Sequence, residues 1–398
     1  MTDHARQTLA NPLNLSTVDD PWSTYTPPPG DRERLWGKNR TFLGDVWFRF
    51  RRRTSALFGL VLISLCLAFA LLGPLCTPFS YRDQNLAFVN IPPCFMLTED
   101  EGGFLYVTAN LKPIEVDRNG KLLRALSLLA TDDAAKRIRF DFRGEEFILD
   151  YRIKPYRITR TDGTSVGRHI FAWNRTFLLG SDSLGRDMMT RLMYGARVSL
   201  LVALTAALTN LLIGVLFGSV SAYFGGIVDA IMMRIVDIIS TLPLTLYVIL
   251  IMVFLGSGLS SIIIALGTVY WVNMARVVRG EILSLKERDF VLASRTIGSS
   301  TWTILTRHLI PNAMGPILVT LTMLIPQAIF MEAFLSFIGL GIAPPLASLG
   351  TMCSDALATL RTSPYQLFEP ALLICVLMFG FNFVGDGLRD ALDPKLRR

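Results

Sequence analysis

Apolar runs bounded by polar or basic residues recur along this chain, and a long stretch between the first two alternates apolar and polar positions. A helix that spans a bilayer needs roughly 20 mostly apolar residues, each rising about 1.5 Å through a core about 30 Å thick. The apolar runs predict spans over residues 55–75, 198–223, 235–255, 261–278, 313–330 and 370–383, the last shorter than the rest. Pro74 and Pro78 close the first, Pro243 bends the third, and Gly256-Ser257-Gly258 turns the chain into the fourth. Between the first two spans, Arg139-Phe-Asp-Phe-Arg143 and Phe147-Ile-Leu-Asp-Tyr-Arg152 have the period of half-buried strands. Asn119-Gly120 and Asp162-Gly163 are turn signals, so residues 77–179 read as a small β-rich insertion. Ahead of the first span, residues 1–54 divide into a disordered leader ending in Pro27-Pro28-Pro29 and a basic helix with Trp47 and Phe50, suited to a membrane surface.

Composition agrees with this reading. The chain has 398 residues, of which 51% are hydrophobic and 18% charged, and its mean hydropathy is +0.44. Its formal charge of +7 raises nucleic acid as a partner, but the basic residues crowd the ends of the apolar runs: Arg49, Arg51, Arg52 and Arg53 before the first, Arg276 and Arg279 at the end of the fourth, Arg397 and Arg398 at the tail. That distribution sets orientation, with both termini in the cytoplasm and the insertion outside it, and argues against a polyanion ligand. A long polar leader precedes the first run, which therefore reads as a signal anchor. The five cysteines lack metal spacing, although Cys94 and Cys353 both fall outside the cytoplasm and could pair. His4, His169 and His308 are too scattered for a metal site. Neither a Gly-x-x-x-x-Gly-Lys-Ser/Thr phosphate loop nor a His-Glu-x-x-His or Gly-x-Ser-x-Gly hydrolase motif occurs.

The most informative segment lies in the polar loop 279–312. Asp289 to Thr296 suits a short helix, and Gly298 is placed to end it in the left-handed conformation that glycine enters without strain. Ser300 or Thr301 can cap a second short helix that stops before Pro311. The expected product is a cytoplasmic helix–turn–helix knuckle that exposes Phe290, Ile297, Trp302 and Ile304, an apolar surface fit to enter a partner's groove.

This segment resembles the coupling loop of ABC importer permeases: Glu-Ala-Ala, three residues, Gly, nine residues, an apolar position, one residue, Leu-Pro. Ala293, Gly298 and Pro311 match, Ser294 and Ile310 are mild replacements, and His308 stands at the apolar position. Leu292 stands where the family usually has glutamate, leaving Glu287 or Asp289 to supply any carboxylate contact. Blocks elsewhere resemble the oligopeptide, dipeptide and nickel branch: Gly180-Ser-Asp-Ser-Leu-Gly-Arg-Asp187, Tyr223-Phe-Gly-Gly226, Phe334-Leu-Ser-Phe-Ile-Gly-Leu-Gly341 and Gly385-Asp386 onward. The resemblance covers residues 180–398 and leaves the insertion aside. It implies an all-α integral membrane protein with the six-helix type I importer permease fold, carrying the β-rich segment as an extracytoplasmic insertion. It also implies a bacterial inner-membrane permease for peptides, paired with a homologous permease, two ATPase subunits and a substrate-binding protein. ATP and Mg would be used by the ATPases, not by this chain. The coupling residues it points to are Glu287, Asp289, Phe290, Ala293, Ser294, Gly298, Trp302, His308 and Pro311.

Other residues admit two readings. Arg186, Asp187, Arg191 and Arg197 form either a salt-bridged entry to the second span or a docking surface for a binding protein. Glu332 interrupts an apolar run, where a charge costs roughly 2.5–3.5 kcal/mol at mid-membrane. It lines a pathway with Pro243, or simply reaches water. Asp229 and Asp237 are placed to pair with Arg234, and Gly214, Gly218, Gly225 and Gly226 to let helices approach. The alternatives to an ATP-driven importer are an ion- or proton-coupled transporter, which needs broken helices and buried ionisable groups, and a membrane-anchored scaffold.

Overall fold

The computed structural model describes residues 42–100, 103–153, 156–166, 168–343 and 345–392. The proline-rich leader expected before residue 42 lies outside them. The chain divides into a short N-terminal unit ending at Phe48 and a second running from Arg49 onward. The basic helix forms as α1 (Phe42–Arg52), with Asp45 in its first turn and Arg49, Arg51 and Arg52 in its last, each sign at the helix end whose dipole favours it.

Apolar helices follow: α2 (Thr54–Cys76), α3 (Met188–Phe224), α4 (Gly226–Thr241), α5 (Leu244–Leu255), α6 (Leu259–Leu285), α8 (Thr301–Leu340) and α10 (Tyr365–Leu392), with the short α7 (Asp289–Thr296) and α9 (Leu349–Ala356) between them. Among the described residues, five of these are long and apolar enough to cross a membrane, or six if α4 and α5 count as one broken span.

Several expected boundaries move. α3 begins at Met188, ten residues before the predicted span, because Asp187 caps it: the carboxylate accepts from Thr190 N at 2.8 Å and Thr190 Oγ1 at 2.6 Å. At 37 residues it is about 55 Å long, far more than a hydrocarbon core needs. α2 runs past Pro74 instead of ending there. Pro74 has no N–H for the Ala70 carbonyl one turn back, and Arg197 Nε donates to that carbonyl from α3 at 3.2 Å. Pro243 produces a break rather than a bend, with α4 and α5 meeting at 87°. Asp229 and Asp237 reach across to α6 rather than to Arg234: Asp229 meets Arg279 at 2.5 Å and Asp237 meets Arg276 at 2.9 Å.

The bundle core joins α3, α6, α8 and α10, with small residues where helices come closest. A β-carbon on Gly214 would lie 2.6 Å from Met274 Cβ, and one on Gly218 would lie 2.4 Å from the Ala275 carbonyl. Gly225 and Gly226, by contrast, serve the turn between α3 and α4 and touch no helix closely.

The insertion contains more strand than its alternation suggested. One antiparallel sheet orders β4 (Leu122–Ala125), β3 (Pro113–Val116), β2 (Gly103–Val107), β1 (Cys94–Asp100) and β9 (Arg168–Trp173). The other orders β5 (Leu128–Asp132), β6 (Arg137–Phe142), β7 (Glu145–Asp150) and β8 (Arg157–Arg160). In β6, Ile138, Phe140 and Phe142 point inward while Arg137 and Arg139 are exposed, and Phe140 pairs with Phe147 across the sheet. The first sheet lacked that signature because its inward positions include Glu115, on which Arg124 and Arg143 converge at 2.8 and 3.1 Å. Burial pushes that carboxyl up, but the two guanidiniums hold it below the usual range. At the neck of the insertion, Tyr365 OH at the start of α10 donates to the carbonyls of Ile91 and Ser181 at 3.0 and 2.6 Å. Cys94 and Cys353 are both free thiols, so the pairing their location allowed is not made.

Candidate functional site

The knuckle grows from the end of α6. α7 closes with Ile297 N donating to Ala293 O at 3.1 Å and Ser299 N to Ser294 O at 3.1 Å, which wraps the last turn around Gly298. Gly298 has φ +85° with open space where a side chain would sit, so conformation rather than crowding calls for glycine. Ser300 then caps α8 by accepting from Thr303 N. The second helix does not stop before Pro311. It continues to Leu340 through a wider turn over Ile304–Leu309, which accommodates the missing proline N–H, and Asn312 Nδ2 donates to the His308 carbonyl at 2.6 Å. The second knuckle helix and the span are therefore one continuous helix.

Packing of that turn on its neighbours also corrects the expected surface. Ile304 is buried, together with Val291, Leu305 and Leu309, against Ala222 of α3 and Ile282 of α6. Outward face Ile297, 84% exposed, and Trp302, 60% exposed, with Phe290 and Leu292 beside them. Ala293, Glu287, Asp289 and Pro311 are exposed, His308 is half-buried, and Ser294 is buried in the base. The base is tied down from the side: Arg295 stacks over the Tyr223 ring at 5.3 Å, and Lys286 Nζ donates to the Ala222 carbonyl at 3.1 Å, satisfying the end of α3. An exposed apolar cap on a packed apolar base can enter a groove without first being ordered.

The other end of the bundle is polar. Asp182 accepts from Arg186 Nε at 2.6 Å and from Arg191 Nη1 at 2.7 Å, and Arg191 Nη2 donates to Asp355 at 3.1 Å. Arg186, Arg191 and Asp187 are buried, so the salt-bridged entry describes them better than an open docking face. Burial pushes the Asp187 carboxyl up from its ordinary value. Arg197 is occupied with the Ala70 and Leu71 carbonyls and with the Tyr194 ring. Glu332 does not reach water: it is 0% exposed. It accepts from Ser199 of α3 at 2.6 Å and from Ser336, one turn on, at 2.8 Å, and Ser348 donates to Ser336 at 3.2 Å. Pro243 sits at the α4–α5 break, where it precedes the first residue of α5.

Sequence reasoning missed Asp182, Ser199, Ser336, Ser348 and Asp355. Only Ser348-Leu-Gly-Thr351 carried a local signal, the spacing of a reciprocal cap, which forms at the start of α9.

Comparison with known proteins places these features in a family. Residues 214–398 match the family described as "Binding-protein-dependent transport system inner membrane component". Residues 41–93 match "N-terminal TM domain of oligopeptide transport permease C". The oligopeptide transport system permease protein OppC of Bacillus subtilis is 39% identical over 369 residues, covering 93% of this chain and 95% of that one. Coverage on that scale leaves too few residues outside the match to omit the insertion. The dipeptide transport system permease protein DppC of the same organism is 53% identical over 220 residues, covering 55% of this chain and 69% of that one. Among solved structures, an inward-facing methionine ABC transporter, MetNI, superposes with a TM-score of 0.44 at 19% identity, over 52% of this chain and 98% of that one.

Proposed function

This chain belongs to the inner-membrane components of binding-protein-dependent transport systems, and on that premise we propose that it is the permease subunit of an ATP-driven importer of oligopeptides or dipeptides. The observation that carries the reading is the near full-length relation to an oligopeptide permease, together with a rigid, apolar-capped knuckle at the position of the coupling segment.

In this reading the chain crosses the bacterial inner membrane several times in the type I importer permease fold, with both termini and the knuckle in the cytoplasm. The β-rich insertion stands on the other side, where it can help seat a substrate-binding protein, and α1 lies at the inner membrane surface. A homologous permease completes the pathway. Two ATPases bind beneath, and each takes one knuckle; here Ile297, Trp302 and Phe290 enter the groove while Glu287 and Asp289 flank it. Because α7 and α8 share one packed base with α3 and α6, closure of the ATPases on ATP and Mg moves α8 as a unit and reopens the pathway outward. The chain holds no nucleotide itself.

A broken span and a buried carboxylate, Glu332, are what an ion-coupled carrier would need. Family membership across nearly the whole relative weighs against that alternative.

The test is co-purification of the ATPases with wild-type chain and with Gly298→Pro, followed by peptide uptake in vesicles. Proline cannot adopt φ +85°, so the knuckle distorts while the spans persist. Wild type should retain the ATPases and take up peptide on ATP, and the variant should do neither. ATPase-free wild type, or uptake driven by an ion gradient without ATP, would sink the proposal.

A further inference from the structure

A cavity of about 720 Å³ opens at the end of the bundle opposite the knuckle, between the 183–186 turn, the last turns of α8 and the exposed side of α9. Its volume is within the range of roughly 300–1,000 Å³ typical of small-molecule sites. Its wall carries Arg82, Arg186, Arg191 and Asp355, with the hydroxyls of Ser183 and Ser354 between them.

The charges on this wall do not balance. Asp182 lies behind it and is shared by Arg186 and Arg191. Asp355, half exposed, takes the remaining arm of Arg191. Arg191 Nε is left without an acceptor although its side chain is only 4% exposed. Arg82 pairs with no carboxylate among the described residues; it donates to Tyr81 OH at 2.8 Å and stacks on that ring at 5.1 Å. Three guanidiniums therefore face two carboxylates, and one buried N–H of a wall residue is unsatisfied. A buried donor without a partner is costly, so a ligand that supplies an oxygen gains what the protein alone lacks. Guanidinium is also the group whose planar fork matches a carboxylate.

We propose that this cavity is a peptide-carboxylate site, in which Arg82 and Arg191 receive the C-terminal carboxylate of the peptide and the serine hydroxyls meet its backbone. The inference rests on the peptide reading above and deepens it. Peptides of any side-chain composition share one α-carboxylate, so a permease that holds this group can accept varied cargo without reading its sequence. Asp355, at the rim, sets the depth of entry by repelling a second carboxylate and leaving only the forked end favoured.

The experiment uses the complete permease–ATPase complex in nanodiscs without binding protein. It measures equilibrium binding of labelled trialanine as the free acid and as the C-terminal amide. Arg82 is exposed and outside the Asp182 cluster, so Arg82→Gln should leave the complex assembled, which ATPase retention checks. Wild type should bind the acid about tenfold more tightly than the amide, and Arg82→Gln should bring the two within about twofold by weakening the acid alone. Equal binding of acid and amide by wild type, no binding of either, or a ratio unchanged by Arg82→Gln would each overturn the site. Failure of the peptide reading shows separately: the complex supplied with its binding protein would then take up no peptide at all.

Discussion

The two ends of α8 are made from opposite materials. At its start, Ile297 and Trp302 face outward over a dry base of Val291, Ile304, Leu305 and Leu309. About 45 Å away along the rod, Glu332 is fully enclosed and bound to serines from α3 and its own helix, while Arg186 and Arg191 close on Asp182. One end shows what a soluble protein would hide, and the other hides what a soluble protein would show. Exposed apolar groups on a stiff support are free to engage a partner. Buried charges joined by short hydrogen bonds instead fix one arrangement of helices, since removing one partner leaves the other stranded. The contrast supports the proposed docking at the first end and gives the second a part in fixing helix register.

The contrast breaks most visibly at Asp182. Asp182→Ala strands two buried guanidiniums, an expected loss of about 3–5 kcal/mol, read as a large fall in the thermal midpoint of the purified complex. A midpoint within a degree of wild type would mean this end is not held by charge. Next comes Glu332. Glu332→Ala should cost about 2 kcal/mol through the lost serine hydrogen bonds, whereas Glu332→Gln, which keeps an acceptor of the same shape, should cost under about 1 kcal/mol. Thermal unfolding of the two side by side separates these, and equal losses would point to the negative charge itself. The smallest effect is at the knuckle rim: Leu292→Glu, which installs the glutamate usual in the family, should tighten ATPase binding by less than about fivefold, because a rim charge contributes under about 1 kcal/mol. Titration of ATPase against the permease pair measures it, and a hundredfold gain would show that charge rather than apolar shape carries the docking.

Much of the docking end was legible because its signals are local. Glycine at 298 announces a left-handed cap, Ser300 an N-cap, and the surrounding blocks a family. Ile304 was misplaced because the base it packs on includes Ala222 and Ile282, which a reading of the knuckle segment alone does not bring near. The registering end was opaque for the opposite reason: its partners are distant in sequence. Ser199 and Glu332 are 133 residues apart, and Arg191 and Asp355 are 164 apart. Spacing along one helix reveals neighbours three or four residues away, so Asp229 seemed matched to Arg234 when Arg279 was its partner. The early start of α3 was missed because Arg191 and Arg197 interrupt the apolar run of its first turns, although Arg191 is buried in the fold.

The account turns on the knuckle being a docking surface and nothing else, and the affinity of the permease pair for its ATPase tests that most directly, wild type against Ile297→Asp, with the thermal midpoint followed in the same samples. Ile297 is almost wholly exposed and its side chain supports nothing beneath it. The account predicts at least a tenfold loss of affinity, the scale of a central interface contact, with the midpoint unchanged. Unchanged affinity would contradict it.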